Sequence, residues 1–414
     1  MFFGLSKRRN FLKERRGFTL IELLITVAVI AVLMTVTVVT LNPAEYLRKS
    51  RDVKRISDLT NLQIALQLVA ADPSVSLGVC DGTKIYASVP SETPLSNDNL
   101  PSGVSWVQVS QSNLMKTDGT GWIPVDLKTF SSKGLVLPAL PIDPKNSASD
   151  YLFYTYTCNS NRQFVLTAWF ESQAFGPKGQ DPKSKNDAGP DPYLYEVGSN
   201  LFIHPLRPAA YWSFDEGNGN IAYDRSGNEN NGTLYNGPTW VDGKVGKALS
   251  FDGIDDYVYI PDSNSLKITG PLTISFLAYP TNISKGRQNP FGKAYGGEYD
   301  LTMETTTALS FYQGSAGNNN TPYVGCYSIS MFNNNSWTFV DLTRNITTKT
   351  IAYYKNGQIN PSSCGTWVDP SVSTRRVGIG YEYAGYWQGI IDEVLLYPRT
   401  LSAAEINRHY QLIK

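Results

Sequence analysis

The chain has 414 residues, more than the about 100 to 200 of one ordinary core, so two or three domains are expected. Basic and acidic residues balance at 36 each, 17% of residues are charged, and 25 Tyr, 34 Gly and 24 Pro favour strands and turns over helical bundles. That balance argues against a nucleic-acid partner held by bulk charge. The two histidines, His204 and His409, stand far apart in no metal-spaced or base-positioned motif, which argues against zinc and histidine-centred catalysis.

Residues 1–17 read MFFGLSKRRNFLKERRG, six cations against the single acid Glu14, a composition that stays on the cytoplasmic side of a membrane. Phe18 to Leu41 follow with one charge in 24 residues. As a helix this run is about 36 Å long, enough for a bilayer core of about 30 Å. In a secretory signal the small-residue cleavage site follows the apolar run, whereas here Gly17 precedes it. Glu22 lies inside the run at a cost of roughly 2.5 to 3.5 kcal/mol unless paired or near the interface. Cutting after Gly17 would create an α-amino group on Phe18, one turn before Glu22, able to neutralise that carboxylate or one on a neighbouring subunit. The alternative is a carboxylate that snorkels from a plain membrane anchor.

The stretch Arg16-Gly17-Phe18-Thr19-Leu20-Ile21-Glu22-Leu23-Leu24 resembles the processing site of type IV pilins and pseudopilins. The resemblance implies a bacterial protein cut after Gly17 by a prepilin peptidase and methylated on the new amino group of Phe18. It also implies partners, namely other pilin subunits and the inner-membrane assembly machinery, with Glu22 helping to set subunit register. The expected location is a single pass of the inner or cytoplasmic membrane with the head outside the cytoplasm, then a pilus or pseudopilus on the cell surface. The leader is longer than many in the family, and Pro43 comes a few residues later than is common in its pilins.

Pro43 removes one helical hydrogen bond and crowds the carbonyl of Val39, which predicts a kink or short melted stretch. Beyond it Ile56, Leu59, Leu62, Leu66 and Val69 step by three or four residues and form one apolar face, with Arg48, Arg51, Lys54 and Arg55 left to solvent. This amphipathic half-helix is expected to end near Asp72-Pro73. A pilin-like head, counted from 42 to 203, then lays the helix across a small antiparallel sheet, with strand-like runs at 103–109, 121–127, 151–157 and 163–170. Cys80 and Cys158 fall in the head, and Cys326 and Cys364 in the next segment, so the simplest assignment is one disulfide in each, worth about 4 kcal/mol apiece if oxidised. A head outside the cytoplasm can keep such bonds; the alternative is four free buried thiols. Residues 176–208, rich in proline and glycine, read as loop and linker.

From 209 to 414 about ten short alternating runs without intervening helices predict an all-β sandwich or jelly roll, closed by a helix whose capping box is Ser402 with Glu405. The fold class is therefore an α+β pilin-like part followed by an all-β jelly roll. The stretches 209–220, 246–261 and 388–406 resemble the laminin-G-like jelly roll of the concanavalin A-like lectin/glucanase superfold, a likeness that implies a binding module and little more. Domains of this kind often hold a structural calcium, which maps here to Asp215 and Asp392, with Glu216 and Asn218 as further oxygens. The alternative is solvated turn acids and a buried Asp392 that caps a loop.

Glycanases share this superfold, and Glu298, Asp300 and Glu304 lie on one strand face. Glu298 and Glu304 are about 20 Å apart along a strand, whereas paired catalytic carboxyls stand about 5 to 9.5 Å apart, so no enzyme is expected. For a sugar, exposed aromatics are the candidates. Trp240, Trp337 and Trp367 read mostly as core, while the loop YEYAGYW offers Tyr383, Tyr386 and Trp387 as a ligand face. The Asn-rich stretches 317–321 and 332–337 read as plain loops or as a ligand rim. Two functions follow. One is a minor pilin or pseudopilin whose lectin-like domain binds a glycan or other surface ligand in adhesion; the other is a tip cap or spacer with no ligand of its own.

Overall fold

The computed structural model describes residues 18–98, 100–128 and 137–414, without the side chains of 36–41. Gly17 and the rest of the expected leader lie outside the described residues. The chain divides into two compact units, 1–47 and 48–414.

In the first unit α1 (Leu20–Leu41) starts at the N-cap Thr19. The Glu22 carboxylate accepts from Thr19 N and Oγ1, both at 2.9 Å, and Glu22 N donates back to Thr19 Oγ1 at 3.3 Å. This capping box satisfies donors that the first turn of a helix leaves open. Glu22 thus has a local partner in Thr19 besides the pairing expected with the Phe18 amino group. Leu20, Ile21, Leu23, Ile25, Val29 and Leu33 are all exposed, so α1 presents apolar side chains around its circumference. Among the described residues no helix is long and apolar enough to cross a membrane. The run read as spanning, 18–41, reaches into side chains outside that description. The helix stops at Asn42, which takes a left-handed φ of 40°, and α2 (Pro43–Ala70) begins on the proline, whose missing N–H costs nothing in a first turn. The interruption expected at Pro43 is a clean break.

In the second unit, the α2 residues Leu59, Leu62, Leu66 and Val69 are buried with the head core, as their spacing requires. Arg55, expected in solvent, is fully buried. Its Nε and Nη2 donate to Asp143 at 2.6 and 2.8 Å, and its Nη1 to Asp52 at 2.6 Å and Glu171 at 2.8 Å. Burial alone would lower the guanidinium, and the surrounding carboxylates outweigh it. The polar face of α2 therefore carries a second, ionic contact with the head.

The head sheet has the order β2-β1-β3-β4-β5, from β1 (Lys84–Ala87), β2 (Ser105–Val107), β3 (Thr155–Cys158), β4 (Phe164–Trp169) and β5 (Leu194–Gly198). Every pair is antiparallel except β1 with the edge strand β2. The run 121–127 is no strand: Pro124 interrupts it, and Trp122, Ile123, Val125 and Leu127 enter the core without a ladder. The 176–208 segment read as linker contains β5, and Cys80 is bonded to Cys158.

Two antiparallel sheets form the rest. Their first strands are β6 (Ala210–Trp212), β7 (Ile221–Ala222), β8 (Gly232–Tyr235), β9 (Thr239–Asp242), β10 (Lys247–Asp252), β11 (Tyr257–Ile260) and β12 (Leu272–Pro280). Next come β13 (Gln288–Gly292), β14 (Asp300–Met303), β15 (Leu309–Gly314), β16 (Tyr323–Ser328) and β17 (Thr338–Asn345). The last are β18 (Thr350–Lys355), β19 (Gln358–Asn360), β20 (Ser362–Cys364), β21 (Val377–Ile379) and β22 (Gln388–Tyr397), before α3 (Ala403–Ile413). The back sheet runs β19-β18-β17-β12-β22-β10-β9, with β6 beside β22. The front sheet runs β20-β16-β15-β14-β13-β21-β11-β8-β7. Alternate residues meet between them, among them Trp212, Phe251, Phe276, Phe291, Leu301, Phe311, Val340 and Ile379. Cys326 of β16 is bonded to Cys364 of β20. This is the jelly-roll sandwich the alternating runs predict.

Candidate functional site

Residues paired across neighbouring strands share a face. Phe311 and Leu301 are paired and lie in the core, so the paired Tyr312 and Asp300 point outward from the front sheet. Tyr323 and Tyr327 of β16 and Tyr257 and Tyr259 of β11 lie on the same outer side. There, Arg287, Tyr295, Asp300, Tyr312, Tyr323 and Tyr383 line a cleft of about 180 Å³.

The rings pack against one another, Tyr323 edge to face with Tyr295 and Tyr312, and Tyr383 tilted on Tyr295. Tyr295 lies 4.6 Å from Tyr383 and 5.1 Å from Tyr323, and Tyr312 lies 5.8 Å from Tyr323, centroid to centroid. Charges in the walls are paired. Arg287 donates to Glu304 from Nε at 3.0 Å and from Nη2 at 3.3 Å, and Glu304 also accepts from Ser310 and the Tyr312 hydroxyl. Asn319, in the 317–321 stretch, accepts from Tyr295 N at 3.0 Å and donates to Glu382 at 3.0 Å, so this loop buttresses the cleft. Arg375 pairs with Glu382 at 2.7 Å. Asp300 is buried against Asn289 and Thr302, and burial, then the Glu382 charge, pushes its carboxyl well above the usual range. The cleft thus offers ring faces, phenol hydroxyls and one buried carboxyl held by Asn289 and Thr302.

The expected aromatic loop divides. Tyr383 is half exposed and forms a cleft wall, while Tyr386 stacks on Tyr381 at 4.1 Å outside the cleft. Trp387 is no ligand residue: it is fully buried in the sandwich core, 5.6 Å from Phe332. Strand alternation explains the correction, because β22 enters the sandwich at this point and turns the indole inward. The sequence reading missed Arg287, Tyr295, Tyr312 and Tyr323. Alternation in 309–314 carried a signal for Tyr312, whereas Tyr295 sits in a loop with no local pattern.

Of the three acids weighed for hydrolysis, only Asp300 lines the cleft. Glu298 is held apart from it, 2.6 Å from the buried Lys293 and accepting from Ser373 N at 2.8 Å. Glu304 is tied to Arg287.

The three acids expected to hold calcium do not form a close carboxylate cluster. Asp215, Glu216 and Asp392 do not bring three ligand atoms within 4.8 Å of one another; among the described residues Asp252, Asp255 and Asp256 do. Asp392 accepts from Lys244 N at 2.9 Å and Val245 N at 3.0 Å, and Asp215 from Lys247 N at 2.9 Å, so both acids hold the turn between β9 and β10. Glu216 accepts from Tyr223 N, and Asn218 is exposed. A cation does occupy this corner: Lys185 Nζ lies 2.7 Å from Asp215 and 2.6 Å from the buried Glu393.

Residues 12–38 match the model of the prokaryotic N-terminal methylation motif, and residues 252–407 match the concanavalin A-like lectin/glucanases superfamily. The chain therefore joins a type IV pilin signal to a lectin-like jelly roll. No curated protein matches it. Among solved structures it is similar to domain 4 of the extracellular arabinanase AbnA from Geobacillus stearothermophilus, in complex with arabinotriose. That match has 18% identity and a TM-score of 0.36 over 50% of this chain and 99% of that one. It is also similar to Trypanosoma rangeli sialidase in complex with the inhibitor DANA, at 16% identity and a TM-score of 0.37, over 50% of this chain and 33% of the sialidase. The binding domain of botulinum neurotoxin serotype D matches at 15% identity and a TM-score of 0.40, over 49% of this chain and 51% of that one. The chain thus spans only a third of the sialidase and half of the toxin domain.

Proposed function

We propose that the protein is a minor type IV pilin or pseudopilin subunit that displays a carbohydrate-binding domain, with the tyrosine cleft as the binding site. The cleft is the observation that carries the reading: tyrosine rings and hydroxyls converge on one hollow with its wall charges paired, the surface a sugar ring requires. Binding rather than hydrolysis is inferred because the acids of 298–304 serve separate partners and, among the described residues, Asp300 is the one carboxyl lining the hollow. The filament half rests on the methylation motif and on α1, whose exposed apolar sides call for a bilayer or neighbouring helices. Cleavage after Gly17, methylation of Phe18 and residence in the inner membrane before assembly follow from that reading. A bulky added domain would crowd a close-packed fibre, which favours sparse or tip placement.

The test is a glycan array probed with the full chain in detergent. Saturable binding that Tyr383→Ala abolishes is expected; no binding to any glycan would leave a tip cap or spacer. For the filament half, Gly17→Val is expected to keep the leader on the chain, and a normally shortened product would refute the processing claim.

A further inference from the structure

The loop between β21 and β22 crosses the middle of the front face as a strap, residues 381–386. One buried side chain pins it: Asn289 Oδ1 accepts from Tyr383 N at 3.0 Å, from Ala384 N, and from Gly385 N at 3.3 Å. Asn289 N donates to Gly385 O at 2.8 Å, and Lys285 Nζ to Tyr386 O at 2.7 Å. Trp387 closes the base, its N–H donating to Gly380 O at 2.7 Å and its indole fixed in the core. Two glycines make room. A Cβ on the outward side of Gly378 would fall 2.0 Å from Tyr381 O, and one on Gly385 would fall 2.5 Å from Arg287 O. The strap lies against the sheet rather than standing off it.

It separates two aromatic groups on one face. On one side Tyr383 joins Tyr295, Tyr312 and Tyr323 in the cleft. On the other, Tyr381 lies 6.1 Å from Tyr257, Tyr257 stacks on Tyr235 at 5.2 Å, and the Arg376 guanidinium stands 5.0 Å over Tyr257. A chain of sugars running across the strands from the first group to the second would have to pass through the strap.

We infer that the strap closes one end of the cleft, so that the site takes the terminal residue of a neutral glycan chain and not an internal stretch of polymer. The inference rests on the carbohydrate reading above. Size agrees with it, since about 180 Å³ is well below the roughly 300 Å³ at which pockets begin to enclose a drug-sized molecule, which leaves room for one ring. Neutrality follows from the walls, where Arg287 is tied to Glu304 and Arg375 to Glu382, leaving no unpaired cation in the wall among the described residues for an acidic sugar.

The experiment titrates the full chain in detergent with neutral oligosaccharides of two to six glucose, galactose, mannose or N-acetylglucosamine units, with the corresponding polymers, and with oligosaccharides ending in uronic or sialic acid. The expected result is one protein per chain end and an affinity that changes less than about threefold from dimer to hexamer. Several proteins along one polymer, with affinity rising more than about tenfold with length, would overturn the inference while sparing the carbohydrate reading. Binding to uronic or sialic acids alone would overturn it too, and no glycan binding at all would overturn both. Two variants keep the test sharp. Tyr257→Ala, beyond the strap, is expected to leave hexamer affinity unchanged, and a loss of about tenfold would mean the chain crosses. Asn289→Ala, if it folds, should free the strap and make affinity depend on length; a still length-independent affinity in a folded Asn289→Ala would count against the strap as the barrier.

Discussion

On the back sheet the outward residues Leu277, Phe339, Leu395 and Tyr397 lie under Trp169 and Tyr193 of the preceding segment and under Ile406 and Leu412 of α3. On the front sheet the outward Tyr259, Tyr323 and Tyr327 stay more than a third exposed. Both rows come from the same period-two alternation, so alternation alone does not say which face the chain covers. Packing partners do. The row on the back sheet is closed over by side chains of the preceding segment and of α3, whereas on the front sheet Asp300, Thr302 and Ser310 are buried in hydrogen bonds to Asn289 and Glu304 and the tyrosines carry the open surface. The comparison separates where the molecule is held together from where it is available.

Four changes test that division, from the largest effect to the smallest. Lys185→Met at the rim of the covered side strands the buried Glu393 beside Asp215 and Asp392, and removing one partner of such a pair costs about 3 to 5 kcal/mol. Chemical denaturation of the full chain measures it, and an unchanged midpoint would make the lysine a bystander. Ile406→Ala opens a cavity under α3 and should cost about 2 to 5 kcal/mol by the same measurement, with glycan binding intact. Tyr383→Ala on the open face should do the reverse, shifting stability by no more than about 0.5 kcal/mol while removing binding. If it unfolded the domain instead, the front face would be a core in disguise.

The fourth change stands outside that order of size, because it is read as a slope with pH rather than at one pH. Asp341 is fully buried on the covered face beside Ser275, Tyr193 and Tyr354, and burial raises its carboxyl to about 8 against the lowering pull of the Ser275 hydroxyl. The folded state holds a proton that the unfolded state loses near pH 4, so this contribution is complete below about pH 4 and falls as pH rises toward 8. Asp341→Asn should flatten the decline in melting temperature across that range, and an identical slope in the variant would place it elsewhere.

What could be read from the chain alone follows the range of the interactions. The signal around Gly17, Phe18 and Glu22 is local and matches a motif, and the capping box of α3 and the sandwich class are likewise written in short patterns. Arg55 looked solvated because its partners Asp143 and Glu171 lie 88 and 116 positions away. Lys185 looked like linker because Glu393 is 208 positions away. Strand β5 was hidden by the prolines before it. Tyr383 and Trp387, four residues apart in one loop, read alike until β22 turned the second inward. The cleft was the least legible feature, since Arg287, Tyr295, Tyr312 and Tyr323 are assembled by the sheet and two loops.

The most direct test of the account is a crystal structure of the protein with the glycan that binds it most tightly. The account predicts a single terminal ring seated among Tyr295, Tyr312, Tyr323 and Tyr383, with the rest of the chain leading away from the 381–386 strap. A sugar bound on the loops around the β9 to β10 turn, or lying across Tyr257 and Tyr259, would contradict it.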